Sequence, residues 1–116
     1  MKQLALYVCP VCHNLMTATA KADISCCDQV LTPLRPAQTD EHHLLAVVPV
    51  EDELYVTAGH EMSKDHHLAF VAYVTGDRFL MVKQYPEWDM QVRLPKLGRG
   101  TLYFYCTRHG LFHQPL

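Results

Sequence analysis

Two groups of residues in this chain have the types and spacing of metal ligands. The first is Cys9-Pro10-Val11-Cys12, followed by the adjacent pair Cys26-Cys27. A Cys-x-x-Cys knuckle curls the backbone around one ion with two thiolates, and a second pair from a distant loop completes a tetrahedral four-sulfur site. Zinc and iron both fit four thiolates, so the spacing leaves the metal open. The second group is Cys106 and His109, close to the C-terminus, at the end of the aromatic run Phe104-Tyr105. A soft thiolate and an imidazole that close can hold one transition metal together. Such a pair arises by chance in many chains, and its weight depends on further ligands elsewhere. The chain offers them: six of its eight histidines lie in tight groups, at His42 and His43, His60, His66 and His67, and His109.

The cysteines are odd in number, five, so they cannot all pair in disulfides within the chain. The apolar run of Met1-Lys2-Gln3-Leu4-Ala5-Leu6-Tyr7-Val8 is too short for a signal peptide and leads straight into the knuckle. Reduced thiols, open to metals, and a cytoplasmic location are the expectation. The chain has 116 residues, 49% apolar and 19% charged, which is enough to build a core and argues against disorder. Its formal net charge of −2 argues against a general nucleic-acid binder, whose footprint would be basic. No apolar stretch approaches the length of a membrane span.

The elements that must position these ligands read as β-structure. A segment of some thirty residues around the four cysteines has too little apolar material for a core of its own, and a metal would supply its folding energy. Residues 32–40, Thr-Pro-Leu-Arg-Pro-Ala-Gln-Thr-Asp, form a polar connector with two prolines. Beyond it, strands are predicted over Leu44 to Val50, Leu54 to Thr57 and Leu68 to Val74. The Gly76-Asp77 step turns the last of these into Phe79 to Lys83. Trp88, Met90, Val92 and Leu94 alternate with polar residues, as in a half-buried strand, and Thr101 to Tyr105 follows after a Gly-rich turn. No helix of three turns is legible. Short strands separated by turn signals suggest a β-sandwich, whose loops gather residues from different strands at one end.

The cysteine spacing, a knuckle and then an adjacent pair, resembles the desulforedoxin-type centre at the N-terminus of desulfoferrodoxins. Zinc ribbons usually repeat the spaced knuckle instead. His13 and Asp28 stand where that family commonly has glycine, which permits positive φ beside the metal. Asn14 and Asp28 are the residues expected to tolerate that region here. The His60-x-Met62-x-x-x-His66 loop and the Cys106-x-x-His109-Gly110-Leu111-Phe112 ending resemble the superoxide reductase family of neelaredoxins and desulfoferrodoxins.

That resemblance implies an all-β chain with a desulforedoxin-like metal domain over 1–36 and an immunoglobulin-like sandwich over 37–116. It implies a non-haem iron held by four histidines and one cysteine: His43, His60, His66, His109 and Cys106. His42 is the fallback for His43. It implies one-electron reduction of superoxide to hydrogen peroxide at an open axial position, in defence against oxidative stress. Glu41 matches the glutamate that caps that position in oxidised family members, and His42 stands where the family often has a lysine that attracts superoxide and assists protonation. Glu61 replaces the usual proline. Iron, or zinc in the four-cysteine site, a rubredoxin-like electron donor and a homodimer complete the expectation. His67 and His113 are assigned surface or packing roles. Rival readings are a non-catalytic electron carrier or degenerate relative, and a zinc-ribbon interaction module.

Overall fold

The computed structural model describes residues 4–116, so the first three residues of the N-terminal run lie outside the described residues. The chain divides into two compact units, one reaching to Arg35 and the other spanning Pro36–Leu116. Among the described residues there is no helix, and so none long and apolar enough to cross a membrane.

In the first unit, strand β1 (Ala5–Val8) pairs antiparallel with β2 (Leu15–Ala18), with Val8 opposite Leu15. The connection between them is the Cys9–Asn14 knuckle, closed by Cys9 N–H to the Asn14 carbonyl at 3.0 Å and His13 N–H to the Cys9 carbonyl at 2.9 Å. A second, minimal hairpin joins β3 (Ser25–Cys26) to β4 (Gln29–Val30). Its two turn residues, Cys27 and Asp28, have φ of 52° and 60°. Positive φ at both central positions is what a tight hairpin needs to match the strand twist. At the first hairpin it is His13, with φ of 63°, that takes the left-handed conformation expected of Asn14. The knuckle must reverse at the residue straight after Cys12, whatever occupies it.

The second unit is a β-sandwich. One sheet has the order β10-β7-β6, built from β6 (Ala46–Val50), β7 (Glu53–Thr57) and β10 (Gln91–Pro95). The other has the order β5-β12-β11-β8-β9, from β5 (Ala37–Gln38), β8 (Leu68–Val74), β9 (Phe79–Lys83), β11 (Thr101–Cys106) and β12 (Gly110–Pro115). Strand β8 is buried along nearly its whole length, as a central strand should be, while β10 and β11 alternate strictly. Val56, Val92 and Leu94 of one sheet and Val71, Tyr73, Leu102 and Phe104 of the other meet in one core. The sequence reading assigned no strand to Gly110–Pro115 and counted residues 37–38 as connector. The two segments pair in parallel, Phe112 opposite Ala37 and His113 opposite Gln38. Trp88, read as part of an alternating strand, lies before β10 and is 65% exposed.

Candidate metal centres

All five cysteines are free thiols. The sulfurs of Cys9, Cys12, Cys26 and Cys27 lie within 4.8 Å of one another. Cys12 Sγ is 3.5 Å from Cys26 Sγ, and Cys26 Sγ is 3.9 Å from Cys27 Sγ. A tetrahedron of sulfurs each about 2.3 Å from one ion has edges of about 3.8 Å, so the spacing fits a single metal. The knuckle also aims an amide at the site, Val11 N–H to Cys9 Sγ at 3.4 Å. The Cys12 backbone amide is the main influence holding the Cys9 thiol down at about 6. Contact with Cys12, and then with Cys9, raises Cys26 and pushes Cys27 up to about 12. Thiols this close cannot all ionise unaided; a cation among them lets them do so.

The second centre is assembled at one end of the sandwich by three segments. Cys106 closes β11, fully buried, where a register shift against β8 falls between Tyr105 and Cys106. Such an irregularity re-aims a side chain at the end of a strand. The turn that follows carries His109 and enters β12 through Gly110 at φ 93°, a conformation few side chains tolerate. His109 Nδ1 lies 3.4 Å from Cys106 Sγ. Two ligands at right angles on one metal, with bonds of about 2.3 Å to sulfur and about 2.1 Å to nitrogen, stand about 3.1 Å apart. The pair is therefore close to the spacing that neighbouring ligands require.

His60 and His66 come from the β7–β8 connection. That loop is fastened by Ser63 N–H to the His66 carbonyl at 3.0 Å and by Glu87 N–H to the Met62 carbonyl at 2.5 Å. It is also tied to the Cys106–His109 turn, through His67 N–H to Thr107 Oγ1 at 3.1 Å and Thr107 N–H to the His67 carbonyl at 3.0 Å. The His67 ring donates to the Ser63 carbonyl at 3.1 Å, which makes it a brace of this loop. His113 lies on β12 with its ring stacked on Tyr103.

His43 arrives on the segment before β6. The Gln114 side chain clamps that segment to β12, accepting from Leu45 N–H and donating to the Leu45 carbonyl, both at 2.9 Å. The imidazole is 6% exposed, stacked on Phe112 with ring centres 4.3 Å apart, and edge-on to His109 at 4.8 Å. Nitrogens of His43, His60 and His66 lie within 4.8 Å of one another and of the Cys106 sulfur, and His109 stands 5.2 Å from His66, ring to ring.

The strongest sign of a ligand lies in what these rings fail to bond. Among the described residues, His43 Nε2, His60 Nε2 and His66 Nε2 are the buried side-chain nitrogens without a hydrogen-bond partner. Buried polar atoms are rarely left so, since each costs about 1–3 kcal/mol. The opposite nitrogens explain the aim. His60 Nδ1–H donates to the Glu61 carbonyl at 2.6 Å, and His43 Nδ1–H donates to Asp40 at 3.0 Å. Each bond puts the proton on Nδ1 and leaves a lone pair on Nε2. Burial pushes His60 below the ordinary histidine value, and the neighbouring imidazoles add to that, so its ring is neutral and able to ligate. Three partnerless buried ring nitrogens clustered with a buried sulfur fit a metal ion.

Glu41 and His42 stand apart from this cluster. Their side chains are 86% and 80% exposed, His42 Nε2 is 3.4 Å from Glu41 Oε1, and both line the mouth of a cavity of ≈ 470 Å³ that His43, His60, His66 and the exposed His109 also line. Asp40 and Gln114 are not among the residues that the sequence singles out, and Phe112 enters there only as part of the C-terminal motif. Asp40 had a signal, a carboxylate three residues before a histidine, the spacing of a local side-chain turn. Gln114 had none, because its partner is Leu45, far along the chain.

No family model matches the chain. The desulfoferrodoxin of Clostridium acetobutylicum is 26% identical over 96 residues, 78% of this chain and 77% of that protein. The crystal structure of the superoxide reductase from Treponema pallidum matches with a TM-score of 0.82 over 98% of this chain and 99% of that one, at 19% identity, a likeness of fold. With a four-cysteine cluster followed by a β-sandwich that carries a histidine–cysteine cluster, the chain resembles the superoxide reductase family of desulfoferrodoxins and neelaredoxins.

Proposed function

We propose that this chain is a superoxide reductase, with iron held by His43, His60, His66, His109 and Cys106. The observation that carries the reading is the set of three partnerless Nε2 atoms clustered with one buried sulfur beneath an open cavity. Iron bound there would supply the single electron that takes superoxide to the peroxide level. His43, His60 and His66 gather ring nitrogens near the Cys106 sulfur, His109 Nδ1 stands 3.4 Å from that sulfur, and Cys106 keeps it shielded from water. A divalent iron with one thiolate leaves a net positive site, which draws a small anion into the cavity although the whole chain is slightly acidic. On this reading His42, at the mouth, attracts superoxide and assists protonation of the product, and Glu41 beside it governs access to the metal. The two protons and one electron that convert superoxide to hydrogen peroxide balance without release of dioxygen.

On this reading the electron comes from a rubredoxin-like donor, the four-cysteine centre also holds iron, and the chain works as a homodimer. The test is a superoxide-dependent peroxide assay on the iron-loaded protein with a chemical reductant. One peroxide per superoxide consumed is expected, together with a thiolate-to-iron absorption band that Cys106→Ser removes while the four-cysteine spectrum persists. Redox cycling without peroxide would mark an electron carrier, and colourless zinc-only protein an interaction module.

A further inference from the structure

The partners of the three orphaned histidine nitrogens differ in kind. His60 is braced by a backbone carbonyl, which no side-chain substitution removes. His66 Nδ1 stands 3.6 Å from Glu61 Oε1, within reach of its charge but too far for a hydrogen bond. Glu61 gives its other oxygen to Ser63 Oγ–H at 2.5 Å. His43 alone has a carboxylate within hydrogen-bond distance, with Asp40 Oδ1 at 3.0 Å and Oδ2 at 3.2 Å from Nδ1. The same Oδ1 accepts the backbone N–H groups of His42 and His43, both at 2.8 Å. The main chain closes on itself here too, through Asp40 N–H to the His43 carbonyl at 3.3 Å and the reverse bond at 3.2 Å. A single carboxylate thus folds the turn that delivers His43 and orients the ring it delivers.

We propose that Asp40 is a positioning residue for the histidine–cysteine centre, fixing His43 with Nδ1 protonated and Nε2 facing the metal, and placing a negative charge behind that ligand. The inference rests on the metal-binding reading of this site. Phe112 holds the face of the His43 ring and Asp40 its outer edge, so that the remaining ring nitrogen has one direction in which to act. A carboxylate behind a ligating imidazole makes the imidazole a better donor, and loss of such a partner typically lowers metal affinity about 10–100-fold. It also favours the more highly charged ferric ion, so removing the charge should raise the reduction potential.

Two variants separate the parts of this role. Asp40→Ala loses the turn, the orientation and the charge; Asp40→Asn keeps one oxygen that can accept the same N–H groups as Oδ1 does, and loses the charge and the longer Oδ2 contact. Full-length iron-loaded protein is challenged with a chelator, each centre being followed by its own absorption, and the potential of the histidine–cysteine centre is measured by spectropotentiometry. Asp40→Ala is expected to release the iron of that centre at about 10–100-fold lower chelator concentration, with the four-cysteine centre unchanged. Asp40→Asn is expected to keep the iron but shift the potential upward; a tenfold loss of ferric over ferrous preference reads as about 59 mV for one electron. Wild-type retention by Asp40→Ala overturns the proposal. An unmoved potential in Asp40→Asn also overturns it, leaving Asp40 as a turn former, and stands even if the alanine variant fails to fold. Iron uptake by the wild type at the four cysteines alone overturns the underlying reading of the site, and the proposal with it.

Discussion

Among the described residues up to Arg35, those buried are Leu6, Tyr7 and Cys9, and the last of these is a candidate ligand. The sandwich that follows buries a continuous core, Val56, Val71, Tyr73, Leu94, Leu102 and Phe104 among others, before its ligands are considered. The four-cysteine hairpins span four and two residues per strand, lengths that cannot stand alone in water. Strands β8, β11 and β12 beside the histidine–cysteine site run to six and seven residues and lie side by side in the five-stranded sheet. In one region the metal would create the structure. In the other the structure creates a place for the metal, and so can leave a position around it open to substrate.

Stripping metal tests that contrast most severely. Chelation, or Cys9→Ala, should unfold the segment up to Arg35, since a structural tetrahedral site supplies on the order of 10 kcal/mol of folding free energy. Amide NMR spectra should show that segment collapse to random-coil shifts while Pro36–Leu116 keeps its dispersion; loss of both together would break the comparison. The reverse cut is Phe112→Ala, which removes a buried ring and the stacking face of His43. A cost of about 3–5 kcal/mol in denaturant unfolding of the sandwich is expected, with weakened metal binding at its site and an intact four-cysteine spectrum.

Acidity should part the two centres more gently. Cys26 is raised and Cys27 stands at about 12, so both carry protons at neutral pH that an incoming metal must displace. Affinity there should climb with pH throughout the neutral range, and fall more steeply below about 6, where the Cys9 thiolate also begins to take up a proton. His60 titrates below the ordinary histidine range, so it adds no such slope until the solution is more acidic. Chelator competition at each centre across pH measures the difference, and equal slopes would remove it. The smallest effect is expected from His13→Gly. It relieves a left-handed residue at φ 63° and should stabilise the metal-loaded hairpin by about 1 kcal/mol or less, read from its unfolding midpoint.

The parts of this molecule that were legible beforehand are those whose signal is local. The knuckle and the adjacent pair announce four sulfurs, and β8, β9 and β11 were readable from their apolar runs and from the Gly76-Asp77 turn. Reading failed where geometry belongs to a partner elsewhere. Gly110–Pro115 carries a histidine, a glutamine and a proline and looks unlike a strand, yet it pairs with β11 along its whole length because the Cys106–Gly110 turn brings it there. Asn14 seemed the natural left-handed residue by propensity, and the reversal fell on His13 because the knuckle sets where the chain must turn.

By itself, then, the order of residues determined that cysteines and histidines would dominate the chemistry and that strands would carry them. Of two adjacent histidines it could not say which would be buried, because both share one local environment. Tertiary structure decided it: the Gln114 clamp and the Phe112 face take His43 inside, and His42, one residue earlier, is left with Glu41 at the mouth of the cavity. The same contacts brought Asp40 against the ring. The spacing of Asp40 and His43 offers a local turn in sequence, and only the packing of the ring against Phe112 decides which way that turn aims it.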